Sequence, residues 1–299
     1  HDASELNFMV ALGTHPGYPE VGLNHLVGIT AEERATAFKH VGLLNHAWND
    51  PAALTSLGVI GQDEIKQLAG PNWHPSLPAE IDIRINKAVL EHDHIVILGP
   101  TFPHEVVGFS GGNKYLFPGV SGEAFIQFFH WLGALHTNPR INGNQWTVPR
   151  KFVDRAAGLI PVPRKALCFV VDQGQLAALH FGGVEEAWAA AVECSRKRHI
   201  IYVDHPFRQV LAEAPEMYDD LWVGGKCMYK LENVVADGGE LIIHAPHIHE
   251  VSRVHGGVLD EVGYHVRDYF VRQWDRFKRY PWGVLAHATH VRGIGSYSG

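Results

Sequence analysis

The sequence predicts an α/β fold built from two α/β domains with an active-site cleft between them. Short apolar runs alternate with amphipathic helical segments along both halves of the chain, which is the pattern of layered α/β proteins. A length of 299 residues suits two domains. Residues 138–164 are rich in proline and polar side chains, so the predicted domains are residues 1–160 and 161–299.

The elements of the first half follow from periodicity and capping. Thr30 and Glu33 form a capping-box pattern that predicts a helix over residues 31–44. Residues 123–136 have helical periodicity, and the small Gly133 is expected to leave space beside a histidine on this helix. Three short runs are predicted strands, the first and third of them buried: residues 7–13, 81–86 and 95–98.

The second half repeats the alternation of strands and helices. One predicted helix covers residues 184–196, and another begins at Lys226 after a Gly-Gly pair. The predicted strands are residues 166–171, 176–180, 200–203 and 240–244.

Composition excludes several classes of function. The net charge is −7 with no basic stripe, which argues against nucleic-acid binding. No apolar run is long enough for a membrane helix, and the start has no signal-peptide pattern. Three widely spaced cysteines give no disulfide framework, so we expect a cytoplasmic protein. The 21 histidines raise the expectation of metal binding or proton transfer.

The segment from His104 to His130 concentrates groups that could carry chemistry. It contains a glycine-rich loop ending in Lys114, ten residues after the first histidine and sixteen before the second. Consecutive glycines let backbone N–H groups approach an anion, and the lysine could pair with phosphate or attack an electrophile. Like His104, His15 follows the end of a predicted strand, so the two histidines are expected to share one sheet edge and one cleft.

The same loop also matches a generic hydrolase motif. Gly108-Phe109-Ser110-Gly111-Gly112 fits G-x-S-x-G, in which the serine is a nucleophile between a long strand and a helix. Here only Val106-Val107 precedes the motif, and Pro118-Gly119 interrupts the segment after it. The context therefore argues against Ser110 as a nucleophile, although a serine hydrolase stays an alternative.

The run H-x3-G-F-S-G-G-x-K-x3-P-G-V, with a histidine sixteen residues after its lysine, resembles the nickel-pincer lactate racemase family. The early Gly-Thr-His and the later D-L-x4-K are similar to that family too. The resemblance implies a pyridinium mononucleotide with two sulfur-containing arms, which is joined to a lysine through a thioamide and holds nickel through one carbon and two sulfurs.

The resemblance also implies a role for each matching residue. Lys114 would carry the covalent cofactor, His130 would be the protein ligand of nickel, and His15 and His104 would be the acid/base pair. Lys226 would bind the substrate. Ser110, Gly111 and Gly112 would cradle the nucleotide, and Trp274 is the candidate for a late pocket tryptophan, with Tyr269 and Phe270 as alternatives.

These roles imply a racemase or epimerase that inverts C2 of a 2-hydroxy acid. Removing the Cα hydrogen as hydride avoids a carbanion, while two histidines with pKa values near the working pH exchange the hydroxyl proton. Gly224 and Gly225 are expected to free volume, and the surplus histidines to offer hydrogen bonds, for an acid larger than lactate, such as a sugar acid. A ligand-binding homologue without turnover is a further alternative. The family's D-x-T-R arginine segment is not present, so we expect that residues 1–160 lack the true N-terminus.

Overall fold

The structure is a computed structural model and describes residues 6–298. Its strands are β1 (Asn7–Val10), β2 (Gly42–Asn45), β3 (Leu54–Gly61), β4 (Glu80–Asn86), β5 (Ile95–Pro100), β6 (Pro103–His104), β7 (Gly108–Phe109), β8 (Arg164–Asp172), β9 (Gln175–Gly182), β10 (Phe207–Glu213) and β11 (Val235–His244). Its α-helices are α1 (Glu20–Leu26), α2 (Ala31–Ala35), α3 (Gln62–Ala69), α4 (Glu123–His136), α5 (Asn138–Ile141), α6 (Val148–Ala157), α7 (Val184–His199), α8 (Leu221–Gly224), α9 (Lys226–Leu231), α10 (Gly256–Val262), α11 (Arg267–Arg272), α12 (Trp274–Phe277) and α13 (Trp282–Arg292). The predicted α/β class is confirmed, with the strands divided among several small sheets.

Strands β1 and β2 form a parallel pair. The strand predicted at residues 7–13 ends at Val10, and its first residues are exposed rather than buried. Strand β5 was also expected to be fully buried, but Val96 and Leu98 are 61% and 56% exposed. The reason is that β1 and β5 border one apolar cavity of about 640 Å³, so each strand keeps an open face.

Helix α2 shows how tertiary pairing overrides a local signal. The capping box is confirmed: Thr30 Oγ1 accepts from the Glu33 N–H at 3.1 Å, and the glutamate carboxylate accepts from the Thr30 N–H at 2.8 Å. The helix nevertheless ends at Ala35 instead of residue 44. Residues 42–45 pair with β1 as strand β2, and this pairing removes them from the helix.

Helix α4 has the predicted bounds and lies in the main core. Phe125, Phe128 and Phe129 are at most 1% exposed, which confirms the predicted apolar face. Phe125 meets Phe117 edge to face with ring centroids 5.1 Å apart, and Phe128 meets Phe152 in the same way at 4.9 Å. Such tight aromatic packing fixes the position of every residue on the helix.

The middle sheet has the order β5-β8-β9 and runs across the predicted domain boundary. Strands β5 and β8 are parallel, with Ile95 opposite Arg164, and β8 continues into an antiparallel hairpin with β9. The main core is likewise one cluster, with members from Ile60 to Ala288. The division into residues 1–160 and 161–299 stays a prediction.

Strands β10 and β11 form a separate parallel pair in the second half. A small core of their own lies beside them: Ala212, Ala214, Tyr218 and Cys227. The strand predicted at residues 200–203 is wrong: this segment is an extended connection whose Ile201 and Tyr202 are about 80% exposed. Within residues 6–298, no helix combines the length and apolarity needed to cross a lipid bilayer.

Candidate active site

The glycine-rich loop brings Lys114 close to His104. The histidine ends β6, which pairs with β7, and the loop leaves β7. Gly111 and Gly112 have φ angles of 89° and 57°, which side-chain-bearing residues rarely adopt. They turn the chain into a short 3-10 helix that carries Lys114. The two side chains come close enough that the lysine charge lowers the pKa of the histidine.

His104 is oriented by its own hairpin. Its Nδ1 accepts a hydrogen bond from the Val106 backbone N–H at 3.1 Å, and Glu105 Oε2 lies 3.4 Å from the same nitrogen. Burial lowers the pKa of His104 well below its ordinary value, and the positive charges of Lys114 and Lys226 lower it further. We therefore expect His104 to be uncharged at pH 7.

Lys114 is a buried amine in a site that disfavours its charge. Burial lowers its pKa to about 8, the negative charge of Glu105 opposes this change, and the positive charges of Arg150 and Lys226 add to it. A lysine with this pKa has a sizeable uncharged fraction near neutral pH, and the uncharged amine is the nucleophilic form.

The imidazole of His130 is held by its own helix. Its Nδ1 donates to the Ile126 carbonyl at 2.7 Å, one helical turn back in α4, which leaves the lone pair of the neutral ring on Nε2. Burial lowers its pKa to about 4, the bond to Ile126 opposes this, and the charge of Lys114 adds to it. The ring is thus neutral, as a ligand must be.

His15 and Lys226 reach this place from distant parts of the chain. The Gly13 N–H donates to the Gly119 carbonyl at 2.8 Å, which ties the turn before His15 to the end of the Lys114 loop. The pKa of His15 is lowered by burial and then by the charges of Lys226 and Lys114, although its side chain keeps an exposed edge. Lys226 opens α9 and is exposed.

The structure therefore brings five of the predicted residues together, and we call them the lysine–histidine cluster: His15, His104, Lys114, His130 and Lys226. Its histidines are neutral because burial and adjacent cations oppose their protonation. Two lysines within one partly buried cluster make it suited to an anionic ligand. Among residues 6–298, no group of three or more His, Cys, Asp or Glu side chains is placed so that it could hold a metal ion.

The hydroxyl of Ser110 is hydrogen-bonded to the protein backbone. It donates to the Pro100 carbonyl and accepts from the Phe102 N–H, both at 3.0 Å. The serine is 4% exposed and has no histidine among its hydrogen-bond partners in the described part of the chain. This arrangement supports a structural serine rather than a nucleophile.

The glycines of the loop pack against protein on the side where a Cβ would project. A Cβ on Gly111 would collide with Thr101 Oγ1, and one on Gly112 would lie 3.1 Å from Trp188 Cβ. The backbone N–H of Ser110 is also taken, since it donates to the Phe102 carbonyl. Close packing thus explains both glycines, and their contact with a nucleotide stays a prediction.

Several spaces expected to be open are filled. A Cβ on Gly133 would lie 2.7 Å from Val106 Cγ1, so the space near His130 belongs to that valine. The volume expected at Gly224 and Gly225 is likewise taken, by Ile248 and Val291. Neither glycine therefore supports the inference of an enlarged substrate pocket.

The predicted pocket tryptophan, Trp274, is part of an aromatic stack, and its contact with substrate stays a prediction. Trp274 stacks on Trp131 with ring centroids 4.8 Å apart, on a face of α4 that belongs to the core. Trp222 lies near the cluster instead: it stacks on His287 with ring centroids 3.9 Å apart and lies 4.3 Å from His255. Burial lowers the pKa of His255, a nearby aspartate opposes this change, and the charge of His15 adds to it. The effect of His15 places the Trp222 stack beside the cluster.

Sequence reasoning missed two residues behind the loop, Arg150 and Trp188. Arg150 is buried in α6, and its guanidinium lies 4.0 Å from the centroid of the Trp188 ring in α7. Neither residue belongs to a motif in the sequence. In the sequence, Arg150 lies in the polar, proline-rich segment of residues 138–164 and Trp188 in the predicted helix of residues 184–196, so only the fold reveals them.

The fold and the cluster define a class: an α/β protein with two lysines and three neutral histidines gathered at a glycine-rich loop. Residues 76–142 match the lactate racemase N-terminal domain family. The crystal structure of a Thermotoga maritima protein, solved by structural genomics, superposes with a TM-score of 0.86 at 30% identity, covering 98% of this chain and 72% of that one. The chain belongs to the lactate racemase family.

A second solved structure shares the fold. It is the lactate racemase apoprotein from Thermoanaerobacterium thermosaccharolyticum, with a TM-score of 0.72 and 18% identity, covering 97% of this chain and 65% of that one. The chain therefore spans just under two thirds of the length of this relative. A comparison with curated proteins gives no significant match.

Proposed function

We propose that this protein is a racemase or epimerase that inverts C2 of a 2-hydroxy acid by proton-coupled hydride transfer. The observation that carries the proposal is the lysine–histidine cluster, in which two neutral histidines and two lysines adjoin a single neutral imidazole on α4. Membership of the lactate racemase family supports a racemase-type activity in general.

The residues of the cluster fit a lysine-tethered nickel-pincer nucleotide. Lys114 supplies a buried amine with a pKa of about 8, which suits covalent attachment. His130 supplies one neutral imidazole whose Nδ1 proton is held by Ile126, so Nε2 can bind nickel. When bound, this cofactor would supply the acceptor for the Cα hydrogen as hydride.

The protein's own side chains would bind the acid and move its hydroxyl proton. Lys226 is exposed at the cluster and would pair with the substrate carboxylate, fixing its orientation. His15 and His104 would take the hydroxyl proton from one enantiomer and return it to the other. Their pKa values are lowered by burial and by the lysines, and an anionic ligand would offset the lysine charges. Binding would thus raise the pKa of each histidine toward the working pH.

The first experiment tests cofactor attachment. The protein is expressed together with the enzymes that make the cofactor, and its intact mass and nickel content are measured. We expect an adduct mapped by peptide analysis to Lys114 and about one nickel per chain. Lys114→Arg should abolish both, and Lys151→Arg, an exposed lysine of α6, is the matched control. An unmodified, nickel-free wild-type chain would refute the proposal.

The second experiment tests turnover and substrate size. Single enantiomers of lactate and of a sugar acid such as gluconate are incubated with loaded protein, and inversion at C2 is followed by chiral chromatography. We expect His15→Gln and His104→Gln each to lose inversion while the adduct is kept. An adduct without inversion of any 2-hydroxy acid would instead favour a ligand-binding homologue.

A further inference from the structure

We propose that Arg150 is a positioning residue that fixes the loop of residues 108–114 and thereby holds Lys114 for cofactor attachment. The inference rests on the proposed function for the role of the loop in cofactor attachment, whereas the contacts of Arg150 are observed independently of that function. Arg150 is 1% exposed and projects from α6 toward the backbone of the loop.

Side chains behind the loop donate hydrogen bonds to the carbonyls of residues 109–111. The Arg150 guanidinium donates to the Phe109 carbonyl at 2.5 Å and to the Gly111 carbonyl at 3.4 Å. The carbonyl between them, of Ser110, accepts from Trp188 Nε1–H at 2.8 Å. Three consecutive carbonyls are thus fixed by two side chains, and a buried carbonyl left without a donor is costly.

These two side chains also contact each other. The Arg150 guanidinium stacks over the Trp188 ring, 4.0 Å from its centroid. The same tryptophan lies so close to the turn that a Cβ on Gly111 or Gly112 would be 3.1–3.2 Å from it. The glycines, the indole and the guanidinium therefore form one packed unit, and a shift of Arg150 must move the backbone just before Lys114.

Asn113, the residue before Lys114, is held by two carboxylates. Asn113 Nδ2 donates to Asp154 Oδ1 at 3.1 Å and to Glu185 Oε1 at 3.0 Å, which ties it to α6 and α7. Asp154 also lies 4.0 Å from Arg150, four residues earlier on α6. The arginine thus orders the carboxylate that anchors Asn113. Its positive charge also adds to the effect of burial in lowering the pKa of Lys114.

The test uses cofactor-free protein, so it does not depend on the proposed reaction. Trace acetylation of Lys114 by acetic anhydride is followed by peptide mass spectrometry from pH 7 to pH 11, with far-UV circular dichroism as the check on folding. Arg150→Gln should raise the midpoint of the labelling curve, and a rise of one pKa unit lowers the rate near neutral pH about tenfold. The matched control is Arg155→Gln, which removes another α6 arginine that pairs with Glu64. A folded Arg150→Gln protein with the wild-type labelling curve would overturn the proposal.

A second variant keeps the proposal open to refutation if Arg150→Gln does not fold. Arg150→Lys keeps the charge, but one ammonium group cannot replace the planar fork that spans two carbonyls. We expect faster amide hydrogen exchange in the peptide that contains residues 108–114. In cofactor-loaded protein, we also expect a smaller fraction of chains to carry the adduct on Lys114. Wild-type exchange in that peptide would count against Arg150 as its anchor. Loss of the adduct from wild-type protein would instead refute the proposed function and leave the labelling and exchange results standing.

Discussion

Replacing Gly133 with alanine should destabilise the protein, although alanine is the better helix former. In an exposed helix interior, glycine to alanine stabilises by about 1 kcal/mol. Here the new Cβ would lie 2.7 Å from Val106 Cγ1 and 3.4 Å from its Cα, closer than packed carbon atoms approach. Valine is stiff at χ1 and 2% exposed, so it cannot turn aside freely. Overpacking of this kind costs about 1–3 kcal/mol, which leaves a net loss of up to about 2 kcal/mol.

Urea unfolding followed by circular dichroism measures this effect. The control is the same change in a Val106→Ala background, where the colliding methyl group is absent and Gly133→Ala should stabilise by about 1 kcal/mol. The double-mutant cycle should therefore give a coupling of about 1–3 kcal/mol. Because the Val106 N–H also holds the His104 ring, the single variant should lower activity as well. A stabilisation of about 1 kcal/mol in the wild-type background would refute the packing argument.

Burial lowers the pKa values of His287 and His290 to about 3, so the unfolded chain takes up protons first as the pH falls below 6.5. The free energy of unfolding should therefore decrease from pH 7 to pH 4 by about 1.4 kcal/mol per pH unit for each histidine once the unfolded chain is protonated, and a flat profile in urea titrations would contradict this. Ser110→Ala should cost about 1 kcal/mol, because the Phe102 N–H loses its acceptor while the Pro100 carbonyl keeps the Tyr115 hydroxyl. The wild-type protein should not react with a fluorophosphonate probe; labelling at Ser110 would restore the hydrolase alternative. Trp274→Phe should leave the KM for the acid unchanged and lower the unfolding midpoint in urea, because its ring stacks on Trp131; a raised KM with unchanged stability would return it to the substrate pocket.

Elements with strong local signals were predictable from sequence. Helix α4 has the predicted bounds because its aromatic residues recur with helical spacing and are buried in the core. Strands β8 and β9 were also predicted, since two apolar runs flank a short polar segment, and the structure pairs them as a hairpin. The strand predicted at residues 200–203 was wrong because a β-branched, aromatic run also occurs in exposed connections. Periodicity alone does not distinguish such a connection from a strand.

The same distinction between local features and long-range contacts applies to the candidate site. By itself, the sequence determined the order and spacing of His104, Lys114 and His130, because these lie on one continuous segment whose glycines and helix are local features. It also indicated that His15 follows a strand. Their proximity to Lys226 depends on contacts between distant segments, such as the bond from Gly13 to Gly119.

Only the tertiary structure decided what surrounds those residues. It showed that Val106 fills the space beside Gly133 and that Arg150 and Trp188 support the turn of the loop. It also showed that Trp274 belongs to an aromatic stack in the core. The physical reason is that burial, hydrogen bonding and pKa depend on which groups are neighbours in space. Contacts between side chains on separate helices produce no periodic pattern in the sequence, so the sequence alone does not predict them.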